Sequence, residues 1–394
     1  MNAPVLIDAD EAIRRLGVRR ATLYAYASRG LVRSEPHPDD PRRSLYAAED
    51  IDRLAARRRL GRSPGGAAAR TLDWGLPVLD SAITLVEHGC LSYRGVEATG
   101  LAESATLEDT ARLLWDCGEF DPFAEPPPPA PAAAPGPAAT RCIAALADAG
   151  FAGSEVWGRD PRRRWAAAAR LLRRTAAAAV ARPPGPGATG PEPISAAVAR
   201  AWTADPTAAD LVRRALVLAA DHELNASTFA ARVVASTGAS LAAAVVAGMA
   251  ALTGPRHGGM TERVQALLEE VAAGGDARAT VARRLARGDR LPGFGHPLYP
   301  AGDPRASALL ARVRPDPLSD AVAAAVAELT GEPPNIDFAL VALARGHGLP
   351  AEAPFTLFLV GRTAGWIAHA LEQQATGGLI RPRARYVGRR RPSG

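Results

Sequence analysis

Few stretches of this chain alternate apolar and polar residues with period two. Apolar positions recur instead at helical spacing, which predicts a mainly α protein. The tract from Ala230 to Leu252 is apolar and rich in small residues. Small residues let neighbouring helices pack close, so the tract reads as a buried helical hairpin. Gly254-Pro255 stops its second helix, and Gly258-Gly259 lets the backbone approach whatever lies beside His257. A histidine stands at each end, His222 in Asp-His-Glu-Leu-Asn-Ala-Ser and His257 in Gly-Pro-Arg-His-Gly-Gly. A polar group at the mouth of a buried helix is costly unless satisfied, so both ends are candidate functional positions.

Residues 1–60 follow a different pattern. Asp8 with Glu11 reads as a capping box, Ala12, Ile13 and Leu16 share one helix face, and Gly17 stops it. A second helix is expected from about Arg19 to Arg29, ending at Gly30. Leu31–Ser34 and Ser44–Tyr46 flank a Pro-Asp-Asp-Pro turn as a small β-wing, and Glu49 opens a third helix. This order resembles the winged helix-turn-helix of MerR and excisionase-type DNA binders. The resemblance implies that the second helix enters the major groove, with Arg19, Arg20, Thr22 and Tyr24 facing DNA and Arg42 and Arg43 of the wing on phosphates. A solvated basic helix in a module that binds no DNA accounts for the same residues. Residues 61–75 read as a linker. The proline-rich stretches 121–139, with Pro126–Pro129, and 183–193 break the helical pattern.

Composition narrows the chemistry. The 394 residues suffice for two or three domains. The chain has no lysine, which excludes Schiff-base and P-loop mechanisms, and its net charge of +6 reads as a surface bias. Cys90, Cys117 and Cys142 form no CxxC pair and no metal-ligand spacing, which suits a reduced, cytoplasmic compartment. Acidic residues near the start argue against a signal peptide, and Leu241–Leu252 is too short an apolar run to span a membrane. His222-Glu223 opens a His-Glu-x-x-His pattern, but Ala226 stands where the second histidine belongs, so no zinc motif and no metal is expected. Formal matches to G-x-S-x-G at 61–65 and to G-x-G-x-x-G at 185–190 lack the strand and helix that each needs.

Three further motifs follow. Residues 293–305 read Gly-Phe-Gly-His-Pro-Leu-Tyr-Pro-Ala-Gly-Asp-Pro-Arg, residues 334–338 Pro-Asn-Ile-Asp-Phe, and residues 361–369 Gly-Arg-Thr-Ala-Gly-Trp-Ile-Ala-His. With the two histidine ends, Leu91–Val96 and Leu379-Ile380-Arg381-Pro382, they resemble the citrate synthase family in the family's order over roughly residues 76–388. The resemblance implies an all-α fold behind the winged helix. A large helical domain, 76–258 and 350–394, would enclose a small one, 259–349, with the site in the cleft between them. It also implies a homodimer in which Arg381 reaches the other subunit's site.

The implied reaction condenses acetyl-CoA with oxaloacetate, with no permanently bound cofactor. By the resemblance, Asp337 is the base, His257 holds the enol oxygen, and His296 serves the ketone oxygen. Arg305, Arg362 and Arg381 grip carboxylates, and His222 is a further oxaloacetate contact. Gly293, Phe294 and Gly295 would contact coenzyme A. For Arg305, which follows Asp303-Pro304, a salt bridge at a helix N-terminus is a rival reading. His37, His88, His347 and His369 read as structural, and Tyr299 stays open.

The chain departs from the family in Pro297-Leu298-Tyr299, where Arg-Val-Tyr is common. Met260-Thr261-Glu262 replaces Ala-Asn-Glu, and Arg256 stands where an uncharged residue is common. These departures leave open a 2-methylcitrate synthase using propionyl-CoA, since one methylene is poorly legible in sequence. Two other readings are a DNA-binding regulator whose catalytic fold senses a metabolite, and citryl-CoA cleavage by the same residues in reverse.

Overall fold

The computed structural model describes residues 6–28, 32–37, 40–52, 79–125, 134–148, 160–181, 192–384 and 386–389. The linker expected at 61–75, the formal motifs at 61–65 and 185–190, and Pro126–Pro129 lie outside the described residues. The chain forms two units, Met1–Asp80 with Arg383–Gly394, and Ser81–Pro382.

In the first unit β1 (Leu6–Ile7) leads into α1 (Ala9–Leu16) and α2 (Arg20–Ser28), followed by β2 (Ser34–His37), β3 (Asp40–Ala47) and a helical turn at 48–52. Asp8 caps α1 by accepting the Glu11 N–H at 2.8 Å, and Gly17 closes it at φ 60°. β3 lies between β1 and β2, antiparallel to both. The first strand of the wing falls later than the sequence pattern suggests, on Ser34–His37, despite Pro36. Proline is tolerated there because β2 is an edge strand and bulges at Pro36/His37. Ala12, Leu16, Leu23, Val32, Tyr46 and Ile51 make the core. Asp50 is buried beside it and accepts from both the backbone N–H and the guanidinium of Arg33.

The second unit opens with an antiparallel meander, β4 (Thr84–Glu87), β5 (Cys90–Tyr93) and β6 (Val96–Glu97). Both its turns have two residues at positive φ, His88-Gly89 (52°, 77°) and Arg94-Gly95 (44°, 83°). That conformation matches the right-handed twist of the flanking strands. This small sheet is the departure from an all-α unit.

The helices that follow are α3 (Ala98–Ser104), α4 (Leu107–Leu114), α5 (Ala138–Asp148), α6 (Pro161–Ala179), α7 (Ile194–Trp202), α8 (Pro206–Leu218), α9 (Ala226–Ser236) and α10 (Leu241–Leu252). Then come α11 (Met260–Gly274), α12 (Ala277–Ala286), α13 (Pro304–Leu310), α14 (Pro317–Thr330), α15 (Ile336–Gly346) and α16 (Ala353–Thr376). Thr106 and Asp109 form the capping box that opens α4.

Two hydrophobic cores share this unit. The larger gathers around α16, which is buried over most of its length and packs on α8, α9 and α10. Close approach is possible because two glycines face the neighbouring segment. A Cβ on Gly361 would sit 2.7 Å from the Leu216 carbonyl oxygen, and one on Gly365 would sit 2.3 Å from Asp221 Oδ1. The smaller core joins Val264, Leu267, Leu268, Val281, Val322 and Phe338 from α11, α12, α14 and α15 with Phe294 from the segment between α12 and α13. α15 belongs to both. Ile336, Ala339, Leu340 and Leu343 enter the larger core, while Phe338, Val341 and Ala342 enter the smaller. A helix buried on opposite faces carries apolar residues nearly all round, as this one does; Asp337 in its first turn and the exposed Arg345 in its last are the charged exceptions. Among the described residues no helix is long and apolar enough to cross a membrane.

Candidate active site

The seam between the two cores collects the candidate residues. His222 lies in the turn between α8 and α9. Its Nε2 pairs with the Tyr299 hydroxyl at 3.0 Å, and its ring centroid is 5.1 Å from that of His296. The rings of His296 and Tyr299 are 4.9 Å apart. The Leu298 N–H donates to His296 Nδ1 at 3.1 Å, so the proton of the neutral ring sits on Nε2. The Arg305 guanidinium lies over the Tyr299 ring at 5.6 Å. Tyr299, left open by the sequence, is therefore the packing centre of this group.

Arg305 does form the helix-terminal salt bridge that the sequence raised as a rival. Nε and Nη2 donate to the two Asp303 oxygens at 2.9 and 2.8 Å. Asp303 also caps α13 and accepts the Ile336 N–H at 3.0 Å. The pair is buried, which fixes Arg305 as a charged group beside His296 and Tyr299.

His257 lies in the turn between α10 and α11, its ring edge-on to Phe358 at 6.1 Å. Arg362 covers the same phenyl ring at 4.7 Å. Arg362 Nε donates to the Ala219 carbonyl at 3.0 Å, while its buried Nη2 has no hydrogen-bond partner among the described residues. Ser227 Oγ receives the Trp366 indole N–H at 3.1 Å and lies 2.7 Å from His257 Nε2. The Ser227 proton has a second acceptor, Asn225 Oδ1 at 2.8 Å, but that oxygen already takes the N–H groups of Ser227 and Thr228. Directed at Nε2, the hydroxyl proton leaves the imidazole proton on Nδ1. Ser227 and Trp366 were missed by the sequence reading. Ser227 stands in the same Asp-His-Glu-Leu-Asn-Ala-Ser stretch as His222, a signal that could have found it.

The electrostatics separate the groups. Burial and Arg362 hold His257 down to about 4, and burial and Arg305 do the same to His296. His222 is lowered well below the ordinary histidine value by burial, Arg305 and Arg362. All three are neutral at pH 7. Burial pushes Asp337 up to about 7, against the pull of Arg305 and Arg362. Burial lowers Arg362 to about 10, which still leaves it charged.

Gly293-Phe294-Gly295 is strapped to the start of α15. Gly295 N–H donates to Pro333 O and Asn335 N–H to Gly293 O, both at 2.9 Å. Gly293 has φ 86°, and a Cβ there would fall 2.7 Å from Val264 Cγ2. The Phe294 ring packs in the smaller core, 4.8 Å from that of Phe338. Arg381 is exposed in the segment beyond α16 and hydrogen-bonds none of these residues. In the first unit Arg19, Arg20 and Tyr24 are exposed, Thr22 is half-buried, and Arg42 and Arg43 lie on β3. Arg20 is ion-paired with Asp10.

The family model for the citrate synthase C-terminal domain matches residues 128–383. A putative citrate synthase 2 of Mycobacterium bovis is 44% identical over 196 residues, 47% of this chain and 52% of that protein. A 2-methylcitrate synthase of Shewanella oneidensis is 36% identical over 183 residues, 44% of this chain and 49% of that protein. The chain thus spans about half the length of the curated relatives it matches. The fold is also similar to a citrate synthase of Thermoplasma acidophilum, solved as a ternary complex with carboxymethyl coenzyme A and oxaloacetate. That likeness has a TM-score of 0.66 at 23% identity and covers 81% of this chain and 96% of that one. A family match across well over half of the residues, on a fold of the same kind, places this chain in the citrate synthase family.

Proposed function

We propose that the protein condenses an acyl-CoA with oxaloacetate, as a citrate synthase does. The observation that carries this reading is Asp337. It is a carboxyl group raised to about 7 by burial, accepting no hydrogen bond among the described residues, and sensing both Arg305 and Arg362. A carboxylate so poised can take a proton from the carbon next to a thioester carbonyl, because its charge is poorly solvated and it holds no other proton. His257, neutral and with Ser227 fixing Nε2, donates to the enol oxygen. His296 presents Nε2–H to the ketone. The buried Nη2 of Arg362 and the guanidinium of Arg305 suit the carboxylates of a dicarboxylic keto acid. His222 adds a polar contact beside them. Gly293, Phe294 and Gly295 serve the coenzyme through backbone shape, since the Phe294 ring is committed to packing. No resident cofactor is required. Arg381 acts across a dimer, which accounts for its exposure in one chain.

Propionyl-CoA is the second candidate donor, supported by the similarity to a 2-methylcitrate synthase. For the first unit, the order of α1, α2 and the β2–β3 wing supports a winged helix-turn-helix. The pairing of Arg20 with Asp10 competes with the contact to DNA expected of Arg20.

The test is oxaloacetate-dependent release of free thiol from acetyl-CoA and propionyl-CoA, with wild type and Asp337→Ala. Turnover lost in the variant supports the reading, and the ratio of the two donors names the product. No turnover with either donor overturns it.

A further inference from the structure

Asp221 precedes His222, and its side chain is fully buried. Its Oδ2 gathers three donors from three parts of the fold: the Thr84 hydroxyl at 2.6 Å, the Glu223 N–H at 3.1 Å and His369 Nε2 at 3.3 Å. The His369 tautomer follows from its other nitrogen. Arg232 Nη1 lies 3.1 Å from His369 Nδ1 and can only donate, so the ring proton is on Nε2 and points to Asp221. Arg232 is itself buried, pairs with Glu372, and donates from Nε to Gln373 Oε1 at 3.0 Å. A chain of charged and polar groups therefore runs from α9 and α16 to the turn that carries His222.

That turn is strained. Glu223 has φ 55°, a conformation that L-residues with long side chains adopt only when their surroundings impose it. The bond from Glu223 N–H to Asp221 and that from Asn225 N–H to Glu223 O impose it here. Among the described residues Asp221 Oδ1 has no hydrogen-bond partner, and neither has Arg362 Nη2. Burial disfavours the Asp221 charge, yet His369 and Arg362 hold its carboxyl below the ordinary range.

We propose that Asp221 is a positioning residue for the keto-acid site: its carboxylate winds the turn that presents His222. His369 and Arg232 hold that carboxylate in place. The inference rests on the reading of His222 as a keto-acid contact. His369, which the sequence suggested was structural, thereby acts on substrate binding through Asp221.

The experiment uses the full chain: wild type, Asp221→Asn, His369→Gln and His369→Leu. It measures oxaloacetate binding by titration calorimetry, KM for each substrate, and melting temperature. Glutamine can donate to Asp221 and accept from Arg232, whereas leucine can do neither. Asp221→Asn and His369→Leu are expected to weaken oxaloacetate binding about tenfold or more, with KM for the acyl-CoA within about twofold. His369→Gln is expected to recover most of the loss. Equal binding by wild type and Asp221→Asn overturns the inference, as does equal behaviour of the two His369 variants. If Asp221→Asn does not fold, the His369 pair decides. A wild type that binds no oxaloacetate overturns the functional reading and this inference together. A wild type that binds it, beside variants that bind equally well, overturns the inference alone.

Discussion

Asp303 joins Arg305 to the helix that carries Asp337: both its oxygens hold the guanidinium, and one of them also takes the Ile336 N–H. Removing that carboxylate strands a buried cation. Asp303→Ala should cost on the order of 3–5 kcal/mol of stability. A denaturant titration showing a loss under about 1 kcal/mol would mean that the pair is more hydrated than its burial indicates.

The raised Asp337 sets a pH dependence with opposite signs for activity and stability. The base proposed above works ionised, so turnover should rise with pH to a plateau above about 7. The stability sign follows from the direction of the shift. A carboxyl raised on folding favours the folded state below its unfolded value near 4, and that advantage is lost as pH climbs through about 7. Asp337→Asn should therefore be more stable than wild type at pH 8, by on the order of 2–4 kcal/mol, with the gap closing toward pH 4. Melting curves of both proteins across that range check it.

Ser227→Ala removes the acceptor of the Trp366 N–H and the partner of His257 Nε2. A buried donor left unpaired costs about 1–3 kcal/mol. The catalytic loss should fall mainly on kcat, about tenfold to hundredfold, because the ring loses its fixed proton position. Steady-state kinetics at saturating oxaloacetate separate this from weakened binding.

Gly365→Ala places a methyl group 2.3 Å from Asp221 Oδ1 and 2.4 Å from the Ala220 carbonyl oxygen. α16 must move away from the end of α8. The expected cost is at least about 1–3 kcal/mol, and the shift should also reach the His222 turn. A melting temperature equal to wild type would show that the two segments can separate freely.

Much of the candidate site was legible in the sequence because the motifs that suggest it are local. Gly258-Gly259 follows His257, Gly295 precedes His296, and Asp337 follows Pro-Asn-Ile. The helical hairpin was legible in the small apolar residues of α9 and α10, and the cap of α1 in Asp8. What escaped depends on pairs far apart in the chain. Trp366 meets Ser227 across 139 positions, and His369 meets Asp221 across 148. Neither pair leaves a local pattern, so His369 looked like any buried histidine. At Leu91–Val96 the resemblance points to a strand and turn, but the full meander at 84–97 also needs the two-residue turn that holds His88 at positive φ, which that residue does not advertise.

The sharing of α15 by both cores has a mechanical meaning. Phe338 and Leu340 lie two positions apart, yet each is anchored in a different body of packed side chains. The helix cannot travel with one body without straining its contacts with the other. Any change in the spacing of the two bodies must therefore roll or tilt α15, and its first turn moves with it. Asp337, the proposed base, sits in that first turn, so its carboxylate is tied to the relative placement of the two cores.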